Sequence, residues 1–357
     1  MITVLYDHEI FSCFNRGGVS RNFRELAKHM KSCGVSAVAF GGWHISDASR
    51  EIPHFIGVRT PALPRTRRAK MFINGLVQRA VVTRLRPHVI HKTLYARDEY
   101  PSGIPIVITV HDMAHERGLA TNKQYAENKA YWIRRAAHII TPSESTRREL
   151  LCMADVDPAK ITTVHHGADA LPMPVGGAAA WHRPYFLYVG DRHAYKDFPI
   201  LAKALAATRA SRDFSLICCG GVKFSRQETD MIAVLGLGDS VHRIEADDAR
   251  LSQLYQQARC LVYPSRYEGF GLPVVEAMRL ACPVIAADTP VSREVSMGEA
   301  LFFEAGSVES LRDVIKVMAY DDAKREEIRI RGAKAVAGLT WAAAAEHTAL
   351  IYRSIMS

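Results

Sequence analysis

The run Pro264-Ser-Arg-Tyr-Glu268-Gly-Phe-Gly-Leu-Pro-Val-Val-Glu276-Ala-Met278 follows a short apolar segment, Cys260–Tyr263, and decides how the chain is read. A brief apolar run closed by a proline suits a buried strand better than a helix. Gly269 and Gly271 permit an irregular backbone, and Leu272-Pro273 opens a helix, because proline is tolerated in a first helical turn. Strand, glycine-rich loop and helix in that order form the repeating unit of an open α/β sheet, which binds ligands at the carboxyl ends of its strands. The loop around Glu268, Phe270 and Leu272 offers N–H groups to an anion or a sugar hydroxyl. Glu276, about a turn into the helix, reaches back toward the same place and needs partners that sugar hydroxyls would supply. Two carboxylates could also suggest glycoside hydrolysis, but one on a loop and one on such a helix suit that chemistry poorly.

The same unit recurs on both sides. Phe186–Val189, Ser215–Cys219, Val241–Ile244, Val284–Ala287 and Ala300–Phe303 read as its companion strands. Upstream the strand candidates are Ile2–Leu5, Ser36–Phe40, Val89–His91, Ile106–Val110, His138–Ile140 and Ile161–Val164, with a helix from Ser20 to Ser32 stopped by Gly34. Residues 170–180 break the rhythm with two prolines, two glycines and no charge, which suits a linker. The expected organisation is α/β, with a domain over 1–170, a linker over 171–182, and a second domain over 183–338. A cleft between two such sheets is the default ligand site.

With 357 residues, 48% hydrophobic and 23% charged, the chain can bury full cores, and disordered, collagen-like and disulfide-stapled classes are excluded. Its formal charge of +9 lies entirely before Val175, the remainder being balanced. The first half is therefore expected to face something anionic. Seven cysteines, an odd number without a Cys-x-x-Cys pair, read as reduced thiols in the cytosol. Met1 to Tyr6 lacks the pattern of a signal peptide and no stretch approaches ~18 consecutive apolar residues, so any membrane contact is expected to be peripheral.

Further candidates sit just past strand ends. Gly17-Gly18 precedes the Ser20 helix and suits either a tight turn or backbone approach to a phosphate. His111-Asp112 follows Ile106–Val110 and places an imidazole at a ligand edge. Gly190-Asp-Arg192-His-Ala-Tyr-Lys196 follows the first strand of the second half, where a close-approach glycine with Arg192 and Lys196 suits a diphosphate. Neither a Walker loop nor a Gly-x-Gly-x-x-Gly fingerprint is present. Gly220-Gly221 makes another close-approach loop or a plain turn. Pro61 to His88 holds Arg65, Arg67, Arg68, Lys70, Arg79, Arg84 and Arg86 without an acid, interleaved with Met71, Phe72, Ile73, Leu76 and Val77. That segment suits an anionic membrane surface, or a core-packed helix with a solvated basic face. With a single aromatic it makes a poor nucleic-acid platform.

The Glu268-x7-Glu276 segment resembles the signature of retaining nucleotide-sugar glycosyltransferases of family four. Tyr6-Asp-His-Glu-Ile-Phe11, Gly17-Gly-Val-Ser-Arg21, Thr109-Val-His-Asp-Met113, Pro142-Ser-Glu-Ser145, His166-Gly167, Gly190 to Phe198, Tyr263-Pro-Ser265 and Ala281-Cys-Pro-Val284 follow in the family's order across essentially the whole chain. The resemblance is closest to bacterial mannosyl- and rhamnosyltransferases of lipopolysaccharide O-antigen. It implies the GT-B fold, two Rossmann-like domains facing across a cleft, with Trp341 and the helix over 339–357 crossing back to the first domain.

The resemblance also implies roles. Arg192 and Lys196 would hold the donor diphosphate and offset the charge of the leaving group, with Gly17, Gly18, Gly190 and Gly220 giving close backbone approach. Glu276 would bind ribose hydroxyls. Glu268 with Gly269, Phe270, Gly271 and Leu272 would meet the sugar and α-phosphate, and His111 would touch the sugar. No metal and no cofactor beyond the nucleotide diphosphate sugar is implied. The donor is expected to be GDP-linked and to carry mannose or a deoxyhexose such as rhamnose. The acceptor is expected to be a saccharide on undecaprenyl diphosphate, met at the inner face of the cytoplasmic membrane through Arg65 to Arg86, with no nucleic acid involved. A sugar-nucleotide 2-epimerase or a non-catalytic sugar-nucleotide-binding subunit is the alternative on the same architecture. Tyr195 stands where many relatives carry Arg, Arg293 where they often carry Pro, and Glu304-Ala305 where Asp-Pro is frequent.

Overall fold

A computed structural model describes residues 1–15, 17–63, 66–174 and 180–356. Most of the expected linker is described, while its centre, 175–179, lies outside these residues, as does Arg65 of the basic segment. The chain divides into two compact units, Met1–Gly167 with Thr340–Ser357, and Ala168–Leu339.

In the first unit, β1 (Ile2–Tyr6), β2 (Val35–His44), β3 (Phe55–Arg59), β4 (Val89–Lys92), β5 (Ile106–Thr109), β6 (His138–Thr141) and β7 (Ile161–Thr163) form one sheet. Its order is β3-β2-β1-β4-β5-β6-β7 and every pairing is parallel. Parallel strands covered on both faces read as apolar runs, and Leu5, Ile90, Ile108 and Ile139 are fully buried. All six expected strands are present, and β3 is an addition. It is a short edge strand whose residues stay largely exposed, so it leaves no hydrophobic pattern. Gly57 sits within it opposite Gly42, where a Cβ would come within 2.7 Å of the Gly42 carbonyl oxygen.

Three helices pack around the first strands of this sheet, α1 (Glu9–Cys13), α2 (Gly18–His29) and α3 (Arg67–Leu85). α2 starts earlier than the expected Ser20 and ends earlier than Ser32, because Val35 N–H bonds back to the Met30 carbonyl at 3.1 Å and closes the turn. α3 reverses the usual polarity of a surface helix. Lys70, Asn74 and Gln78 are its buried residues with Val82, whereas Phe72, Leu76 and Val77 are exposed. The expected alternative of a core-packed helix with a solvated basic face holds in part: Val82, with Val81 and Leu85, packs on the core beside Leu5, Phe40 and Ile90 and the arginines are exposed, whereas Lys70 is buried and Phe72, Leu76 and Val77 point outward.

In the second unit, β8 (Tyr185–Val189), β9 (Ser215–Cys219), β10 (Val241–Ile244), β11 (Cys260–Tyr263), β12 (Val284–Ala287) and β13 (Leu301–Phe303) form a parallel sheet ordered β10-β9-β8-β11-β12-β13. Phe186, Leu201, Leu216, Ile285, Leu311 and Ile315 are among the residues of its core. In each sheet the strand order reverses once, between β1 and β4 and between β8 and β11. Such a switch point opens a crevice outside the carboxyl ends of the strands.

The helix Trp341–Ser354 belongs to the first unit. Thr340 caps it by accepting from Ala343 N–H at 3.1 Å, the Trp341 ring stacks on His166 at 5.4 Å, and Tyr352 Oη lies 2.6 Å from His91 Nδ1. Gly167 allows this approach, because a Cβ there would lie 2.3 Å from Trp341 N. Backbone cannot yield as a flexible side chain does, so Gly167→Ala is expected to destabilise the first unit by ~2 kcal/mol or more. Urea unfolding monitored by tryptophan fluorescence checks this; an unchanged midpoint would mean that the close packing is not required.

Candidate active site

The carboxyl end of β8 leads into Gly190, whose φ of +125° is a conformation that glycine alone adopts without strain. Its N–H bonds to the Cys219 carbonyl at 3.0 Å, which ties the turn after β8 to the end of β9. A short 3-10 turn, Ala194–Lys196, then aims Lys196 along the sheet edge. From the far side of the switch point, the loop after β11 brings Glu268 to it. Lys196 Nζ donates to Glu268 Oε1 at 2.5 Å, and both side chains keep a small solvent-facing fraction, 18% and 12%. The structure thus joins two expected site residues that are far apart in the chain.

Gly271, with φ of +97°, is the N-cap of the helix Leu272–Arg279, and no side chain caps it. Pro273 has no N–H and Val274 N–H bonds to the Gly271 carbonyl at 2.9 Å, so the Gly271 and Leu272 N–H groups at the helix start are the ones placed to meet an anion. Phe270 and Leu272 are buried beside it, and Gly269 lies in the same loop. Glu276 is buried on the helix and accepts from Tyr255 Oη at 3.3 Å.

Arg192 is held differently from Lys196. Its Nε donates to Glu228 Oε1 at 2.6 Å, its Nη2 donates to the Val222 carbonyl at 2.5 Å, and its guanidinium carbon lies 4.6 Å from the Phe224 ring centroid. Glu228 also closes a capping box with Ser225, so Arg192 fastens the segment after Gly220-Gly221 to the turn after β8. One guanidinium nitrogen, Nη1, is buried without a hydrogen-bond partner among the described residues. Hydrogen bonding from Ser225 and Arg192 holds the Glu228 carboxyl below its usual range against the opposing effect of burial. Glu228 and Tyr255 are contributors that reading the sequence missed; for Glu228 the Ser225-x-x-Glu228 spacing was the available signal.

The remaining expected residues lie in the first unit. Gly17 is the N-cap of α2 and Gly18 its first residue. His111 follows β5; its ring stands edge-on to Phe23 at 6.1 Å and 6.3 Å from the His166 ring, and its Nε2 is buried without a partner among the described residues. Burial, followed by the neighbouring His91 and Lys129, lowers its pKa to about 3. His111 is thus a neutral imidazole at physiological pH, able to offer a polar contact but no charge. The switch point of this sheet is filled by a network that sequence reading missed. Lys92 Nζ lies 2.7 Å from Asp7, 2.9 Å from Glu9 and 3.5 Å from Asp98, with all but Asp98 fully or almost fully buried. The three carboxylates cluster closely enough for a cation. The Lys92 ammonium sits among them and supplies that charge.

His91 and His166 share the behaviour of His111, each lowered to about 3, chiefly by burial. A histidine whose folded pKa is depressed keeps its full contribution above the unfolded value near 6.5 and loses it as pH falls toward 3. The first unit is expected to weaken by up to ~1.4 kcal/mol per pH unit for each such histidine below pH ~6.5. Denaturant midpoints taken from pH 7.5 to 5 check it; midpoints that stay flat would mean these rings are protonated as readily in the folded chain.

Two parallel open sheets, one with glycine turns, a lysine and two glutamates near its switch point, suit an α/β enzyme that takes a phosphorylated ligand. Comparison with known proteins agrees. Residues 178–335 match the model for glycosyl transferases group 1, and residues 16–170 match that for glycosyltransferase family 4. The chain belongs to this glycosyltransferase family. The O-antigen chain mannosyltransferase RfbU of Salmonella typhimurium is 29% identical over 187 residues, covering 52% of this chain and 51% of that protein. A D-inositol 3-phosphate glycosyltransferase of Kineococcus radiotolerans is 27% identical over 288 residues, 70% of this chain and 66% of that protein. These matches span between about half and two thirds of the relatives' lengths. Among solved structures, a sucrose-phosphate synthase from Thermosynechococcus elongatus superposes with a TM-score of 0.81 at 20% identity, covering 99% of this chain and 98% of that one. WaaG, described as a glycosyltransferase involved in lipopolysaccharide biosynthesis, gives 0.75 at 15% identity over 98% and 99%. These structures establish the GT-B fold.

Proposed function

We propose that the chain is a retaining hexosyltransferase that moves mannose, or a deoxyhexose such as rhamnose, from a GDP-linked donor to a lipid-linked saccharide of O-antigen or a related surface polysaccharide. The observation that carries the reading is the Lys196–Glu268 pair at the β8/β11 switch point, beside an uncapped helix start and the buried Glu276. The mannosyltransferase relatives support the sugar and the process at low identity. The acceptor's carrier is undecaprenyl diphosphate, met peripherally at the inner membrane face through the basic segment up to Arg86. The chain works with its donor alone, without a metal or further cofactor.

In this reading the donor diphosphate takes Lys196 Nζ from Glu268 and lies against the Gly190 and Gly220 turns. Arg192 Nη1 and the N–H groups of Gly271 and Leu272 add to the positive field, an arrangement that lowers the barrier by stabilising charge as it develops. Ribose hydroxyls donate to Glu276. Glu268, released from the ammonium, accepts from hydroxyls of the transferred sugar, and neutral His111 contacts that sugar. The bond from the anomeric carbon to the phosphate oxygen breaks, the acceptor oxygen bonds to that carbon from the same face, and the acceptor proton passes to the departing phosphate. No protein nucleophile is needed.

Lys196→Ala and Glu276→Ala are each expected to lower transfer by at least ~10²-fold with the fold intact. Turnover assays and circular dichroism on the purified variants decide this, and a variant with near-normal turnover removes its residue from the site. For the donor, the unfolding temperature is expected to rise most with GDP among GDP, UDP, dTDP and ADP. A larger rise with another nucleotide changes the donor, and none with any nucleoside diphosphate ends the reading.

A further inference from the structure

Helix α3 buries its polar side. Lys70 Nζ donates to Thr60 Oγ1 at 2.7 Å and to the Pro61 carbonyl at 2.8 Å. Asn74 accepts from Trp43 N–H at 2.9 Å and donates to Ser12 Oγ at 2.9 Å and to the Trp43 carbonyl at 3.1 Å. Gln78 accepts from His8 N–H at 3.2 Å and donates to Tyr100 Oη at 3.1 Å. These three recur every four residues, so they mark one face of the helix, and their bonds lock its rotation. The outward side carries an apolar strip flanked by exposed arginines. Ala69, Phe72, Leu76 and Ala80 recur at helical spacing on the opposite side, with Phe72 at 70% and Leu76 at 53% exposure.

Helical geometry sets Arg68 and Arg79 along one border of this strip and Arg84 along the other, with Val77 beside it. No acid occurs anywhere in α3, although Arg79 pairs with Glu99 of the loop after β4. A ring packed in a core would not need such a border, and a solvated helix would not keep Phe72 and Leu76 outward while burying a lysine. An apolar strip with Arg68 and Arg79 on one border and Arg84 on the other matches the two layers of an anionic membrane surface, headgroup phosphates at the sides and acyl chains below the strip. A second copy of this chain docked by the same face would set arginine against arginine, which charge complementarity disfavours.

We propose that the outward face of α3, centred on Phe72 and Leu76, is the surface by which the chain lies on an anionic bilayer, with the helix axis in the membrane plane. The inference deepens the proposed function and rests on it for the need to reach a lipid-linked acceptor. It adds that apolar insertion, and not only the basic charge, holds the chain there. The inward hydrogen bonds of Lys70, Asn74 and Gln78 make the strip a permanent feature of the folded unit.

The test is flotation of the full chain with vesicles of phosphatidylcholine alone or of equal parts phosphatidylcholine and phosphatidylglycerol. The chain is expected to float with the phosphatidylglycerol vesicles and to keep part of that binding at ~1 M salt, where the screening length is about 3 Å. The double substitution F72S/L76S is expected to lower partitioning by at least ~10-fold while leaving the unfolding temperature and the GDP-induced shift unchanged. The pair R68E/R84E is expected to abolish the salt-sensitive part. Equal flotation of F72S/L76S and the parent chain, absence of binding to phosphatidylglycerol vesicles, or a dimer in sedimentation that F72S/L76S disrupts would each overturn the proposal. These outcomes are separable from failure of the enzymatic reading, since nucleotide shifts and transfer to a detergent-solubilised acceptor require no vesicle.

Discussion

A lysine and a glutamate 2.5 Å apart, Lys196 and Glu268, meet where the second sheet reverses its strand order. Each comes from a loop that glycine conformations bend, Gly190 before one and Gly271 after the other. Without the parallel register of β8 against β11, Leu187 opposite Leu261, the two loops would not share an edge. The pair satisfies both charges in a partly screened place. In the proposed reaction a diphosphate would offer the ammonium a stronger partner and free the carboxylate for hydroxyls, so that one contact would change hands on donor binding. Arg192, by contrast, is fastened to Glu228 and Val222 and gives shape to the neighbouring loop.

The two sheets handle their switch points in opposite ways. In the second, glycine turns and a helix start without a side-chain cap leave the Gly271 and Leu272 N–H groups at the edge. In the first, Lys92 closes the gap by joining Asp7, Glu9 and Asp98, and Thr93 N–H and Ala96 N–H bond to Asp7 and Glu9. Removing Lys92 would leave buried carboxylates without a counter-charge, a far costlier state than the pair itself is favourable. The network therefore fixes the loops at this edge.

Much of this was legible in the sequence. Ser215–Cys219, Cys260–Tyr263 and Val284–Ala287 read residue for residue as strands, since a strand buried on both faces is simply a short apolar run. The site residues of the second unit were legible because glycine, lysine and glutamate just past such runs are chemically out of place there. β3 was not, since an exposed edge strand carries no burial pattern. Periodicity in α3 showed which residues share a face but not which face turns inward, because that depends on Ser12, Trp43 and Tyr100, distant in the chain. Arg192 was legible as a cation near a turn, and its partner Glu228 was hidden behind a capping box that served two purposes.

The central claim is that the β8/β11 edge takes a nucleoside diphosphate by exchanging the partner of Lys196. A crystal structure of the chain with GDP tests it most directly. Partner exchange predicts a phosphate oxygen within hydrogen-bond distance of Lys196 Nζ, ribose hydroxyls on Glu276, and a Lys196–Glu268 separation well beyond 2.5 Å. Nucleotide bound elsewhere, or bound with the Lys196–Glu268 contact still closed, would contradict it.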